Sequence, residues 1–254
     1  MTTRFVDSSR FSRILDWLDI LAITGWAILL LQYWHTGKLG LLIHPRYFGL
    51  SIVTGFVLLL IAAFRVWGLL QKHSKPPTVQ HLTLFPPGWS SGLLLLTALL
   101  GLLLTPHPLA SQAAVQQGLA DSFVSPRIQP QAFRSSVRSE ERSLVDWART
   151  LAVYPEPDAY IGQKAKVQGF VVHVTKLPDQ YLLITRFVIA HCAIDAYPVG
   201  LPVQLTTSRK SYAPDTWLEI EGKMVTAELD GKRQLAIEAQ SLKEITSPQN
   251  PYQY

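Results

Sequence analysis

The sequence predicts a membrane-anchored α + β protein, with three N-terminal transmembrane helices, a Pro/Gln/Ser-rich linker, a short helix and a C-terminal five-stranded OB-like β-barrel. Three observations carry this. The 254 residues are 48% hydrophobic and 16% charged, too apolar for an ordinary soluble protein of this length. The excess lies in the first half, in three long apolar runs. From Lys164 onward the apolar period changes to two, as in half-buried strands.

The first run, Leu18 to Trp34, has Trp17 and Trp34 at its edges; at about 1.5 Å per residue it is near the minimum length for crossing a bilayer. Asp19 falls in the expected first turn, where its carboxylate reaches headgroup water; the alternative is a buried functional acid. Tyr47 to Leu70 is interrupted only by Arg65, whose long stem can carry its charge to the interface. Gly88 to Thr105 is Leu-rich and uncharged, entered through Pro86 and Pro87 and left through Pro106 and Pro108. The expected transmembrane region is thus 1–105, with spans at about 18–34, 47–70 and 88–105. Small residues follow the third span (Ala110, Ser111, Ala113) as they would a signal cleavage site, but two spans precede it and it is long for a signal.

Orientation follows from the short loops. Arg4, Arg10 and Arg13 precede the first span, and Lys72 and Lys75 lie between the second and third. The positive-inside rule then places the N-terminus in the cytoplasm and the C-terminal half outside. His35, His44 and His107 fall at outer helix ends without i, i+4 pairing, as solvated end residues do; the alternative is a transition-metal site where they converge. Residues 1–126 carry 8 Lys/Arg and 4 Asp/Glu, and residues 127–254 carry 15 and 14. The net +5 therefore mostly flanks the membrane, and the near-neutral outer half does not suit nucleic acid. A single cysteine excludes an intramolecular disulfide.

Residues 106–136 shift to Pro, Gln, Ser and Ala without an apolar period, as a spacer does. An outer domain, 137–254, follows. Ser139 with Glu140 and Glu141 reads as a helix N-terminus, and Leu144, Trp147, Ala148 and Leu151 as its buried stripe. Strands are expected at Lys164–Thr175, Gln180–Ala190, Val199–Thr206, Trp217–Ala227 and Lys232–Ile245. Leu218, Ile220 and Met224 should share one face and Glu219, Glu221 and Lys223 the other. Leu177-Pro178-Asp179 and Asp230-Gly231 supply turns.

The most unusual chemistry is His191, Cys192 and Asp195, at the end of the second strand. With His173 from the first strand, these residues are candidate ligands for zinc or copper. In a regular strand His191 and Cys192 point to opposite faces, so shared ligation needs a turn there. The alternative is a packed cysteine and an aspartate that caps the turn. No oxyanion-hole loop or glycine-rich turn accompanies the cysteine, so no enzyme activity and no cofactor are expected.

Ile43 to Tyr47 (IHPRY), Tyr160-Ile-Gly-Gln, Val167 to Val171 (VQGFV) and the run TRFVI, CAIDA, YPVGLPV resemble the YcgQ-like family of bacterial membrane proteins. The resemblance implies a location in the bacterial cytoplasmic membrane and a partnership with a multi-helix permease. That family commonly has vicinal cysteines followed by Ala-Ala-Asp. Here the matching positions are His191, Cys192, Ala193, Ile194 and Asp195, so a dithiol is excluded, whereas a metal site could keep histidine as a ligand. The expectation is a non-enzymatic accessory subunit of a permease with an outward-facing module for binding or gating. The alternative is a membrane-tethered metal-binding or sensing protein.

Overall fold

The structure, a computed structural model, describes residues 4–71, 86–119 and 138–254. Lys72 and Lys75, on which part of the orientation argument rests, lie outside the described residues. The chain divides into two compact units, Met1–His107 and Pro108–Tyr254.

The first unit contains α1 (Arg4–His35), α2 (Phe48–Leu70) and α3 (Trp89–Leu103). Two of these helices, over Phe11–His35 and Pro45–Leu70, are long and apolar enough to cross a membrane. The third expected span is not. Helix α3 has 15 residues, about 22 Å at the helical rise, because Gly88 opens it at a positive φ and Leu104 turns extended ahead of Pro106. Asp19 also differs from expectation. Helix α1 starts at Arg4, so this carboxylate lies turns inside the helix, where it accepts the Ser91 hydroxyl from α3.

Asp19 is the first of three polar links from α1 to α3. Trp26 Nε1 donates to the Leu94 carbonyl at 3.0 Å, and Tyr33 Oη donates to the Gly101 carbonyl. The three α1 residues are seven apart, so they stack on one face, and their partners advance in the same direction, which makes α1 and α3 parallel. Small residues let the backbones approach. A Cβ on Gly55 would strike Leu31, one on Gly101 would strike Leu29, and Gly25 faces Ala98. The loop back to α2 is closed by a cluster of Leu29, Tyr33 and Leu39. His44, an expected helix-end residue, caps a short helical turn by accepting the Arg46 N–H on Nδ1 at 3.0 Å.

In the second unit, residues 108–119 fold, although their composition reads as spacer. They form α4 (Ser111–Ala114) and a π-helical turn, with Ala114 and Leu119 buried. Leu109 donates its N–H to Tyr252 Oη at 3.0 Å, and the Ser111 N–H is taken by the Asp215 carboxylate at 2.6 Å. The rest of the expected spacer, to residue 136, lies outside the described residues. Helix α5 (Leu144–Val153) buries Leu144, Trp147 and Ala148 of the expected stripe, and its fourth member, Leu151, packs partly buried against the same core. Its cap is Ser143, not Ser139: Ser143 and Asp146 form a reciprocal capping box, and Ser139–Glu141 is a separate 3-10 turn.

A six-stranded mixed sheet follows: β1 (Lys164–Val172), β2 (Tyr181–Val188), β3 (Tyr197–Gln204), β4 (Trp217–Leu229), β5 (Lys232–Glu244) and β6 (Tyr252–Gln253). The sixth strand was not expected, since two residues in a Pro-flanked tail carry no periodicity; it pairs parallel with β2. Strands β3 and β5 are also parallel, and the remaining pairings, β1–β2, β1–β4, β2–β3 and β4–β5, are antiparallel. Strand β1 pairs with β4 and also with β2, so the sequence of pairings β1–β4–β5–β3–β2 returns to its start. The enclosed core contains Val167, Val171, Leu182, Ile184, Val188, Val199, Leu201, Val203, Leu218, Ile220, Met224, Leu235 and Ile237, closed by Trp147 and Leu144 of α5.

Strand β2 is buried along its whole length. Its outward residue Phe187 stacks on Phe170, with ring centroids 5.8 Å apart. Burial on both faces explains why the run reads as nearly continuous apolar sequence. Strands β4 and β5 turn through Asp230 and Gly231, both at positive φ, as a two-residue hairpin demands. Their register shifts beside Gly222, leaving Gln240 unpaired; this bulge flips the parity of β5, so Ala239 and Leu242 both pack on the core.

Gly169 lies where β1 leaves one partner for the other, and a Cβ there would meet the Thr185 carbonyl oxygen. Gly169→Ala is expected to cost about 2–3 kcal/mol, read as a lower midpoint in thermal unfolding of the full-length protein followed by its β circular-dichroism signal. Gly68→Ala, with nothing within 4 Å of the added Cβ, should change it by less than about 0.5 kcal/mol.

Candidate functional site

Strand β2 ends at Val188, two residues short of the expected Ala190, and Ile189 donates its N–H to the Gln253 carbonyl at 3.0 Å. The chain then turns through Ala190, His191 and Cys192 into a 3-10 turn, Ala193–Asp195. The centre of this knuckle is the Asp195 carboxylate. Oδ1 accepts the N–H of Ala190, His191 and Cys192 at 3.2–3.3 Å, and Oδ2 accepts the His191 N–H and faces His191 Nδ1, both at 2.9 Å. Burial alone would raise the Asp195 pKa. The His191 N–H and ring, with the Ala190 and Cys192 N–H groups, outweigh that and hold it below the usual carboxylate range.

The structure thus brings His191 and Asp195 into contact and seats Cys192, partly buried and without a disulfide, beside them. It does not bring in His173, whose Nε2 lies 2.9 Å from the Tyr212 carbonyl and donates to it. Among the described residues, no group of three or more His, Cys, Asp or Glu side chains is placed to hold a metal ion. Nδ1 of His191 is already turned to Asp195, and a closed zinc site needs four ligands. The knuckle also presents Ile194, 94% exposed. A rigid, hydrogen-bonded loop with an outward apolar tip suits contact with another molecule.

A second feature adjoins this strand end, and the sequence reading missed it. Arg186 is only 8% exposed. It pairs across the sheet with Val199 and has the same parity as Leu182, Ile184 and Val188. Its Cζ lies 4.9 Å from the centroid of the Trp217 ring, and neither Nε nor Nη1 has a hydrogen-bond partner. Burial lowers its pKa to about 10, against a smaller opposing effect of Tyr254. The signal was present in TRFVI, a cation at a core-facing position of an apolar strand.

Sequence profiles of two domains match the chain. The DUF1980 N-terminal domain covers residues 18–120 and the DUF1980 C-terminal domain residues 133–254. The chain belongs to the DUF1980 family. DUF1980 is an uncharacterised family, and the knuckle and Arg186 both fall in its C-terminal domain. No curated protein and no solved structure matches this DUF1980 chain.

Asp195→Ala removes the acceptor of three N–H groups and is expected to lower stability by about 1–2 kcal/mol. Because the folded pKa is depressed, this contribution is complete above the unfolded value near about 4 and disappears as pH falls through the folded one. Unfolding midpoints of parent and Asp195→Ala measured down the acid limb should therefore converge.

Proposed function

We propose that this DUF1980 protein is a non-enzymatic, membrane-anchored accessory subunit of a multi-helix permease, with an outward-facing module for binding or gating. The observation that carries the reading is the surface of α2. Only Gly55 and Ala62 of that helix are buried, while Leu50, Val53, Phe56, Leu60, Phe64 and Trp67 are each more than half exposed. Such a face is stable against lipid or other apolar helices, not water. The close Gly contacts and the hydroxyl and indole links of α1 are the devices by which helices associate in lipid. The short α3 would cross with help from its flanks or by local thinning of the bilayer.

The permease partnership and the bacterial inner-membrane location derive from the YcgQ-like resemblance; the N-terminus inside and C-terminal unit outside derive from the positive-inside rule. The closed circuit of β pairings, with its parallel β3–β5 step, its bulge and its capping helix α5, supports reading the C-terminal unit as a small OB-like barrel. Near-neutral charge turns that module toward protein or small-molecule ligands and away from nucleic acid.

Two measurements test this. A reporter active only in the cytoplasm, fused after Tyr254, should be silent; strong activity would reverse the orientation. Affinity purification from native membrane in mild detergent should recover a polytopic protein in stoichiometric amount, and its recovery should fall when Leu60 and Phe64 on the open face of α2 are both changed to Ala. Purification of the chain by itself would remove the subunit assignment.

A further inference from the structure

Arg186 is the only buried charged side chain among the described residues. Its pKa of about 10 leaves it protonated at neutral pH. An ionised guanidinium taken out of water without a partner is strongly unfavourable. Trp217 offsets part of this by stacking on its face. The N–H donors, however, lie in the plane of the group, where a ring above it accepts nothing, and Nε and Nη1 remain unsatisfied.

The surroundings offset this charge only in part. Arg149 of α5 donates from Nη2 to the Tyr254 main-chain oxygen at 3.2 Å, and Tyr254 is also the residue whose charge acts on Arg186. Val199 faces Arg186 from β3. Trp217 and Tyr254 each keep partial exposure, and Arg186 itself is 8% exposed.

We propose that Arg186 anchors a binding site for a small carboxylate. A monoanion neutralises the single desolvated charge, whereas a phosphate dianion would leave one charge uncompensated. A planar carboxylate also meets the in-plane donors edge-on while the indole covers the face. This goes beyond the accessory-subunit reading and stands without it, because it concerns only what the C-terminal unit binds.

The test is thermal unfolding of the full-length protein in neutral detergent, titrated with formate, acetate, succinate, sulfate and phosphate, with chloride holding ionic strength constant. In the parent, formate and acetate should raise the midpoint saturably, while succinate, a dianion at neutral pH, follows chloride with sulfate and phosphate. Arg186→Lys, which keeps the charge and loses the planar fork, should need about tenfold more acetate, the loss of one charge-assisted hydrogen bond. Arg186→Met should lose the response. A parent in which acetate tracks chloride overturns the proposal, as does an unchanged acetate midpoint in Arg186→Lys. Both readings survive a failure of Arg186→Met to fold, and neither depends on a permease.

Discussion

The C-terminal unit depends on one strand serving two partners. Strand β1 pairs with β4 along Lys164–Phe170 and with β2 along Phe170–Val172, so its backbone must bend through the overlap. At Gly169 the absence of a side chain lets the Thr185 carbonyl oxygen come within 2.5 Å of where a Cβ would stand, well inside van der Waals contact. Without that approach the pairings would not close, Val167 and Val171 would lose the cover of Ile184 and Leu218, and α5 would have no cavity for Trp147. The bulge at Gln240 solves the matching problem on the other side, letting two 13-residue strands curl without exposing Leu242.

The same closure creates the chemistry at the end of β2. A strand covered on both faces leaves no edge from which Arg186 could reach water, so its charge is forced against Trp217. Immediately beyond, the chain must leave the sheet, and Asp195 collects the N–H groups that have lost ladder partners. The His191 ring enters the same carboxylate. One strand therefore ends in two dissimilar devices, a neutralised turn and an unneutralised cation.

Strand positions and the core-facing parity of Leu218, Ile220 and Met224 were legible in the sequence because a period of two is a local property. The turn at Asp230-Gly231 was legible for the same reason. The knuckle was half legible: Asp195 as a cap followed from residue type, whereas the separation of His173 from His191 depends on the β3–β4 connection that supplies the Tyr212 carbonyl. The burial of Arg186 needed the ring of pairings, which no single strand encodes. Residues 108–119 read as spacer because their anchors, Asp215 and Tyr252, lie more than a hundred positions away. Helix α1 was cut short in the reading because hydropathy marks the apolar stretch and not the helix that extends past it.

The heptad links of α1 have a mechanical consequence. Asp19, Trp26 and Tyr33 meet α3 on one face, so a slide of one helix along the other would carry all three past their partners at once. Graded sliding would break every link before any could re-form. Motion passed through this pair must travel as rotation or tilt of the two helices together, a rigid lever whose stiffness comes from the spacing of three side chains.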